Sequence, residues 1–326
     1  MHALHRGVFG AALAVGLVVA TPGLGQTEKN YPSKPIRVVV PFGAGSSTDI
    51  VMRIIAQPLG QALGQPIVVD NKPGADGVIA AVDVVKAAPD GHTIMLATNS
   101  PLSAAPHLRK NLPYHPLNDF TPISFVGNYT FFIVVHPGVP AKSLAELIGY
   151  ARANPGKLNY ATGNTTSIVT TAMFASLAKI NMQHIPYKTE PPAITDILSG
   201  QIHLMVSSYS TVAPHMQAGK LRALVTTLPE RSALMPEVPS IVEAGFPKFP
   251  IVPWAGMVGP AKMPKDVLDR LNGELTAVLK RPDVREALAK QAFAARGSSV
   301  AEMAAIMRDQ LDIWGKAVRD AGIQPE

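Results

Sequence analysis

Apolar runs four or five residues long recur along the chain, each closed by a proline, a glycine or a polar turn, and most lead into a stretch with helical spacing. Ile36-Arg37-Val38-Val39-Val40 predicts a strand buried on both faces and stopped by Pro41, after which Asp49, Ile50, Ile54, Ile55 and Leu59 trace one helix from Asp49 onwards. Ile67-Val68-Val69-Asp70 and Thr93-Ile94-Met95-Leu96-Ala97 repeat the strand pattern, separated by a helical stretch over 78–87 and the Pro89-Asp90-Gly91 turn. After Phe131-Phe132-Ile133-Val134-Val135 the alternation resumes. Helices are predicted over 143–154, 168–179 and 192–199, with strands at 158–161, 185–187, 203–206 and 221–226. From about Asp266 to Gly322 the pattern is helical with a break at Gly297, and Trp254 and Trp314 read as packing residues. Strand, glycine loop and helix in succession imply an α/β class with mainly parallel sheets and helices on both faces, built twice, as two lobes with a cleft between them.

Composition narrows the picture. With 326 residues, 47% hydrophobic and 16% charged, the chain can bury a large core, and disorder or a coiled coil is excluded. The absence of cysteine removes disulfides, thiolate nucleophiles, Cys-type zinc sites and a lipid-anchored cysteine. The net charge of +6 is spread without a basic run, which argues against a nucleic-acid partner. His5-Arg6, the apolar stretch 8–20 and Thr21-Pro22-Gly23-Leu24-Gly25 form a secretory signal peptide, residues 1–25, with cleavage expected after Gly25. That stretch is shorter than the roughly 18 residues of a membrane span. Export of a Cys-free chain points to a periplasm, where NAD and ATP are scarce, and no cofactor is expected.

Two loops carry the candidate chemistry. Phe42, Gly43, Gly45, Ser46, Ser47, Thr48 and Asp49 in the first half, and Thr162, Gly163, Asn164, Thr165, Thr166 and Ser167 in the second, are rich in small and hydroxyl residues, and each opens a helix. Such loops can hold an anion without Arg or Lys, because free backbone N–H groups and the positive end of the helix dipole face the ligand. The plainer alternative is two ordinary helix starts capped by Asp49 and Ser167. Further pocket residues are expected near Asn99, Ser100, Ser207, Ser208 and Tyr209. Asp196 is either a cleft acceptor or a solvated or capping carboxylate, and Lys188 has the same ambiguity, with the solvated reading favoured.

Catalytic patterns are missing. Thr48 stands where G-x-G-x-x-G needs its last glycine, there is no G-K-[ST] ending, and no G-x-S-x-G elbow surrounds Ser46 or Ser47. His92, His107, His115, His136, His184, His203 and His215 form no pair at helical spacing, so no metal site is predicted.

The chain resembles the periplasmic substrate-binding proteins of tripartite tricarboxylate transporters, the Bug receptor family. The resemblance starts at Tyr31-Pro32-Ser33-Lys34-Pro35-Ile36-Arg37 and Pro41-Phe42. It continues through Asn71-Lys72-Pro73-Gly74-Ala75, Pro89-Asp90-Gly91, Leu112-Pro113-Tyr114 and Asn154-Pro155-Gly156-Lys157-Leu158-Asn159-Tyr160. Pro186-Tyr187-Lys188, Gly219-Lys220-Leu221-Arg222 and Ala321-Gly322-Ile323 extend it to the end of the chain. It implies a type II periplasmic binding protein, the Venus flytrap fold. Crossovers are expected near Asn128 to Phe131 and Phe249 to Trp254, so that 26–128 with 254–326 make one lobe and 129–253 the other. It also implies that a ligand carboxylate sits between the two loops, that closure presents a surface to a membrane permease, and that the chain works as a monomer. Several positions depart from the family pattern: Ala44-Gly45-Ser46 replaces a Pro-Gly-Gly run, Asp76 and Thr189 replace glycines, and Val169 stands near the place of a usual histidine. Asp76 either salt-bridges a cationic group or caps the next helix, the cap being the expectation.

The function implied is capture of a small carboxylate, of dicarboxylate or aromatic type, without chemistry. Alternatives are a receptor that signals to a sensor, and an exported hydrolase or isomerase, for which only Asp49, Asp76, Asp196 and Lys188 would be candidates.

Overall fold

A computed structural model describes residues 31–187 and 189–325; the signal peptide read at 1–25 and Lys188 lie outside the described residues. Strand β1 (Ile36–Val40) buries every apolar side chain completely. At about 1.5–3 kcal/mol for each large aliphatic side chain, this anchors the first lobe. Helix α1 (Ser47–Leu63), β2 (Ile67–Asn71), α2 (Val78–Val85) and β3 (Thr93–Thr98) complete two βαβ turns. A wide turn at Ser100–Ala104 leads into the short α3 (Ala105–Leu108), followed by β4 (Phe120–Tyr129). The second lobe holds β5 (Phe131–Val135), α4 (Leu144–Ala153), β6 (Asn159–Thr162), α5 (Thr165–Ala178), β7 (Gln183–Pro186), α6 (Glu190–Leu198), β8 (Leu204–Ser208), α7 (Tyr209–Gln217) and β9 (Arg222–Thr226). The chain then returns to the first sheet with β10 (Trp254–Pro260), α8 (Lys265–Lys280), α9 (Pro282–Ala289), β11 (Phe293–Ala295) and α10 (Val300–Asp320).

The first sheet has the order β11-β4-β10-β3-β1-β2 and the second β7-β6-β8-β5-β9. Both are mixed, where the repeating pattern predicts mainly parallel sheets. The βαβ strands β1, β2 and β3 pair parallel, as do β6 with β7 and β8. The strands that carry the chain between lobes break the rule: β10 runs antiparallel to β3 and β4, and β5 antiparallel to β8 and β9. Only Thr130 separates β4 from β5, so the chain passes directly from one sheet into the other. A crossing strand enters from the far lobe, against the direction of strands fed by local helices.

In the first lobe, Met52, Ile55 and Leu59 of α1 meet the stripe Leu271, Leu275 and Val278 of α8 at helical spacing. Trp254 and Trp314, read as packing residues, are fully buried. Helix α5 has no polar face to speak of: Val169, Met173 and Phe174 are buried, and so are Thr165, Thr166, Ser167, Thr170 and Thr171. It is covered on one side by β8 and on another by α10, whose Trp314, Ala317 and Val318 join Val169 and Met173 in one apolar cluster spanning the lobes. Among the described residues, no helix is long and apolar enough to cross a membrane.

Candidate functional site

The first loop leaves β1 at Val40 and turns through Gly45, whose φ of +79° is one that residues with a Cβ seldom adopt. Ser46, not Asp49, is the N-cap of α1: its Oγ accepts the Asp49 N–H at 3.3 Å. Asp49 sits three residues in and reaches back, accepting the Gly45 N–H at 2.9 Å and the Asn71 side-chain amide at 3.0 Å. Arg53, one turn further on, bonds both of its carboxylate oxygens at 3.0 Å. Asn71 also donates to the Phe42 carbonyl at 3.0 Å, so one carboxylate and one amide fix the whole loop. Burial opposes the Asp49 charge, but Arg53, the Gly45 N–H and Asn71 outweigh it and hold the carboxyl below its usual range.

The second loop is tied by an exchange of hydrogen bonds at the start of α5. Asn164 is the N-cap, its Oδ1 accepting the Ser167 N–H at 2.9 Å, while Ser167 Oγ accepts the N–H groups of Asn164 and Gly163 at 3.3 and 3.2 Å. Ser167 is thus the inner half of a capping box and not the cap. The first N–H groups of both helices, at Ser47 and Thr48 and at Thr165 and Thr166, have no carbonyl of their own helix to meet.

Between the loops lies a cavity of about 320 Å³. Of the residues singled out in the sequence, Phe42, Gly43, Gly45, Ser46, Ser47, Thr48, Asn99, Gly163, Asn164, Thr166 and Ser208 line it. Asp49, Thr162, Thr165, Ser167 and Asp196 do not. Asp49 and Ser167 are consumed within their loops, Thr162 Oγ1 pairs with His184 Nε2 at 2.7 Å, Thr165 is buried, and Asp196 accepts the Tyr187 hydroxyl at 2.5 Å. Ser100 lines the cavity as well, but Ser207 and Tyr209 do not.

The lobes are closed on each other. Ser47 Oγ lies 2.5 Å from Ser208 Oγ and 2.6 Å from Ser210 Oγ, and Asn99 Nδ2 donates to Thr166 Oγ1 at 2.6 Å. Asn99 Oδ1 in turn accepts the Trp254 N–H at 3.2 Å, which ties this contact to the strand returning from the second lobe.

Three cavity residues carry more than the sequence suggested. Glu190 opens α6 and turns its carboxyl to Asn164 Nδ2 at 2.8 Å and Thr211 Oγ1 at 3.2 Å, with Ser207 Oγ at 3.4 Å. Burial pushes its pKa up, against the pull of these three donors. An acid directly before Pro191-Pro192 was the available signal, because proline favours the first helical turn and so marks a helix start. Thr211 Oγ1 also lies 2.9 Å from Ser208 Oγ, so hydroxyls link Glu190 to Ser47 in the other lobe. Asp76, expected to be a cap, occupies a left-handed turn (φ 57°) and pairs with Arg109 at 3.2 Å, while Gly77 stands at the cap position of α2.

Residues 51–323 match the family described as tripartite tricarboxylate transporter family receptor. The chain belongs to this family. BugT of Bordetella pertussis is 33% identical over 315 residues, covering 94% of this chain and 96% of BugT. Among solved structures, an R. palustris protein with adipate superposes with a TM-score of 0.87 at 29% identity, over 91% of this chain and all of the other. The periplasmic binding protein BugD gives a TM-score of 0.84 at 31% identity over 91% of this chain, also along its full length. The two-lobed α/β fold is therefore that of the receptor family, and the departures at Ser46, Asp76 and Thr189 sit on the cavity lining.

Proposed function

We propose that this receptor captures a small carboxylate between its lobes and, when closed, delivers it to the membrane subunits of a tripartite transporter in the periplasm. The observation that carries the reading is the convergence of two helix N-termini, one from each lobe, on a single cavity rich in hydroxyl donors. Each offers orphan N–H groups and the positive end of a dipole, and a carboxylate bound between them favours the closed form because it touches both lobes only there. The family and the adipate held by its R. palustris relative support the same class of ligand. The lobes are taken as 26–128 with 254–326 and as 129–253, hinged around Thr130 and the approach to Trp254, with residues 1–25 removed on export. The chain acts as a monomer and we assign no chemical step to it.

Thermal unfolding of the chain from Gln26 onwards against carboxylates and their neutral amides tests the proposal. A carboxylate at about 100 times its dissociation constant should stabilise the native state by about 2.7 kcal/mol. The matching amide should do much less, since donors bond an ionised acceptor more strongly. Equal shifts with acid and amide would exclude a carboxylate site.

A further inference from the structure

Among the described residues, the cavity wall contains no Lys, Arg or His; its charged members are Asp76 and Glu190. Asp76 already faces Arg109. Glu190 meets only neutral donors, Asn164, Thr211 and Ser207, and among the described residues it forms no ion pair. Its place is fixed by close packing: a Cβ on Gly163 would lie 2.7 Å from the Glu190 nitrogen and 2.9 Å from its Cγ, so only glycine lets the two segments approach.

Helix starts from both lobes contribute residues to this cavity, those of α1, α5, α6 and α7 among them. The first two can offer N–H groups to a ligand anion. At the third stands the chain's own carboxyl: Glu190 is the first residue of α6, where burial raises its pKa and the helix dipole pulls the other way. A ligand whose carboxylate lies against α1 and α5 therefore has the Glu190 carboxyl elsewhere in the same small volume. A second ligand carboxylate would push the Glu190 pKa up further, whereas a protonated nitrogen would hold its charged form and supply an ionic partner that no described residue gives it.

We infer that Glu190 selects zwitterions: the substrate class is a carboxylate bearing a protonated nitrogen at a distance from it, and not a simple dicarboxylate. This rests on the carboxylate-receptor reading above.

Calorimetric titration of the full-length mature chain at neutral pH tests it with probes of matched length, each in a homologous series: valerate, adipate and δ-aminovalerate. The amino acid should bind about tenfold or more tightly than the other two, the scale of one hydrogen bond to a charged group. Glu190→Gln should bring the three probes together while keeping the cavity shape, with its unliganded unfolding midpoint confirming the fold. Adipate binding best to the native chain, or a preference unchanged in E190Q, overturns the role given to Glu190. Binding of the monocarboxylates with no gain from the amine overturns it too and leaves the receptor reading standing. If no member of any series binds, both fall.

Discussion

Asp49 and Glu190 both stand in the first turn of a helix beside the same cavity, one in each lobe, and their carboxyl groups are driven in opposite directions. Asp49 is 2% exposed and turned into its own loop, where Arg53 one helical turn along supplies a full charge. Glu190 is half-buried, faces the cavity and, among the described residues, receives hydrogen bonds from neutral groups alone. Residue type and position in the helix are nearly the same. The partner separates a carboxylate whose charge is held within its own loop from a carboxyl whose charged form awaits a cationic partner.

Removing the first should do the greater damage. Asp49→Ala strands the Gly45 N–H and the Asn71 amide and leaves Arg53 without its anion; a loss of roughly 2–3 kcal/mol is expected, read from the urea midpoint, together with loss of ligand binding. A loss below half a kilocalorie would mean that the loop does not depend on this knot.

Acid should then set the two carboxyls apart. The folded pKa of Asp49 lies below its unfolded value of about 4, so its contribution is complete above that value and disappears as pH falls through the folded pKa. For Glu190 the folded value is raised, so its contribution is complete below the unfolded pKa and is lost as pH rises through the folded one. Without ligand, Glu190→Gln should therefore be more stable than the native chain at neutral pH, by about 1 kcal/mol, and this advantage should fade on acidification. Urea midpoints of both proteins between acid and neutral pH measure it, and an advantage that grows in acid would reverse the assignment. The smallest effect is expected at the junction of the two regions. Ser208→Ala removes the hydroxyl between Ser47 and Thr211 and should weaken ligand binding by about 0.5 kcal/mol without altering the fold.

Much of this architecture can be read from residue order. The buried runs of β1, β2 and β3 and the capped stripe of α4 are visible because local pattern and tertiary role agree. The strands that close the first sheet are not. Strand β4 carries Pro122, β10 carries Gly256 and Gly259, and β11 is three residues long, so each looks like a turn or like nothing until its neighbours are in place. Helix α5 shows no amphipathic stripe because it is covered on more than one side. The loops were visible as stretches of chain, but a loop has an inside and an outside. Asp49 and Ser167 look like ligand groups in the sequence, and only the geometry shows that they have spent their hydrogen bonds on the backbone. Glu190 was overlooked for the opposite reason: an acid beside two prolines reads as a surface turn, and its burial depends on Gly163, distant in sequence.

Helix α10 also sets a tempo. Its 21 residues, about 31 Å long, run from Met303 and Met307 on the first-lobe sheet to Trp314 against Val169 and Met173 of the second lobe. A parting of the lobes that drew α5 away from this wholly buried tryptophan would uncover apolar surface at about 25 cal/mol per Å². Such a cost would weight the empty chain toward its shut form. Capture would then be timed by how often the cleft comes ajar, with a rate that levels off as solute becomes plentiful and a solute that leaves slowly once inside.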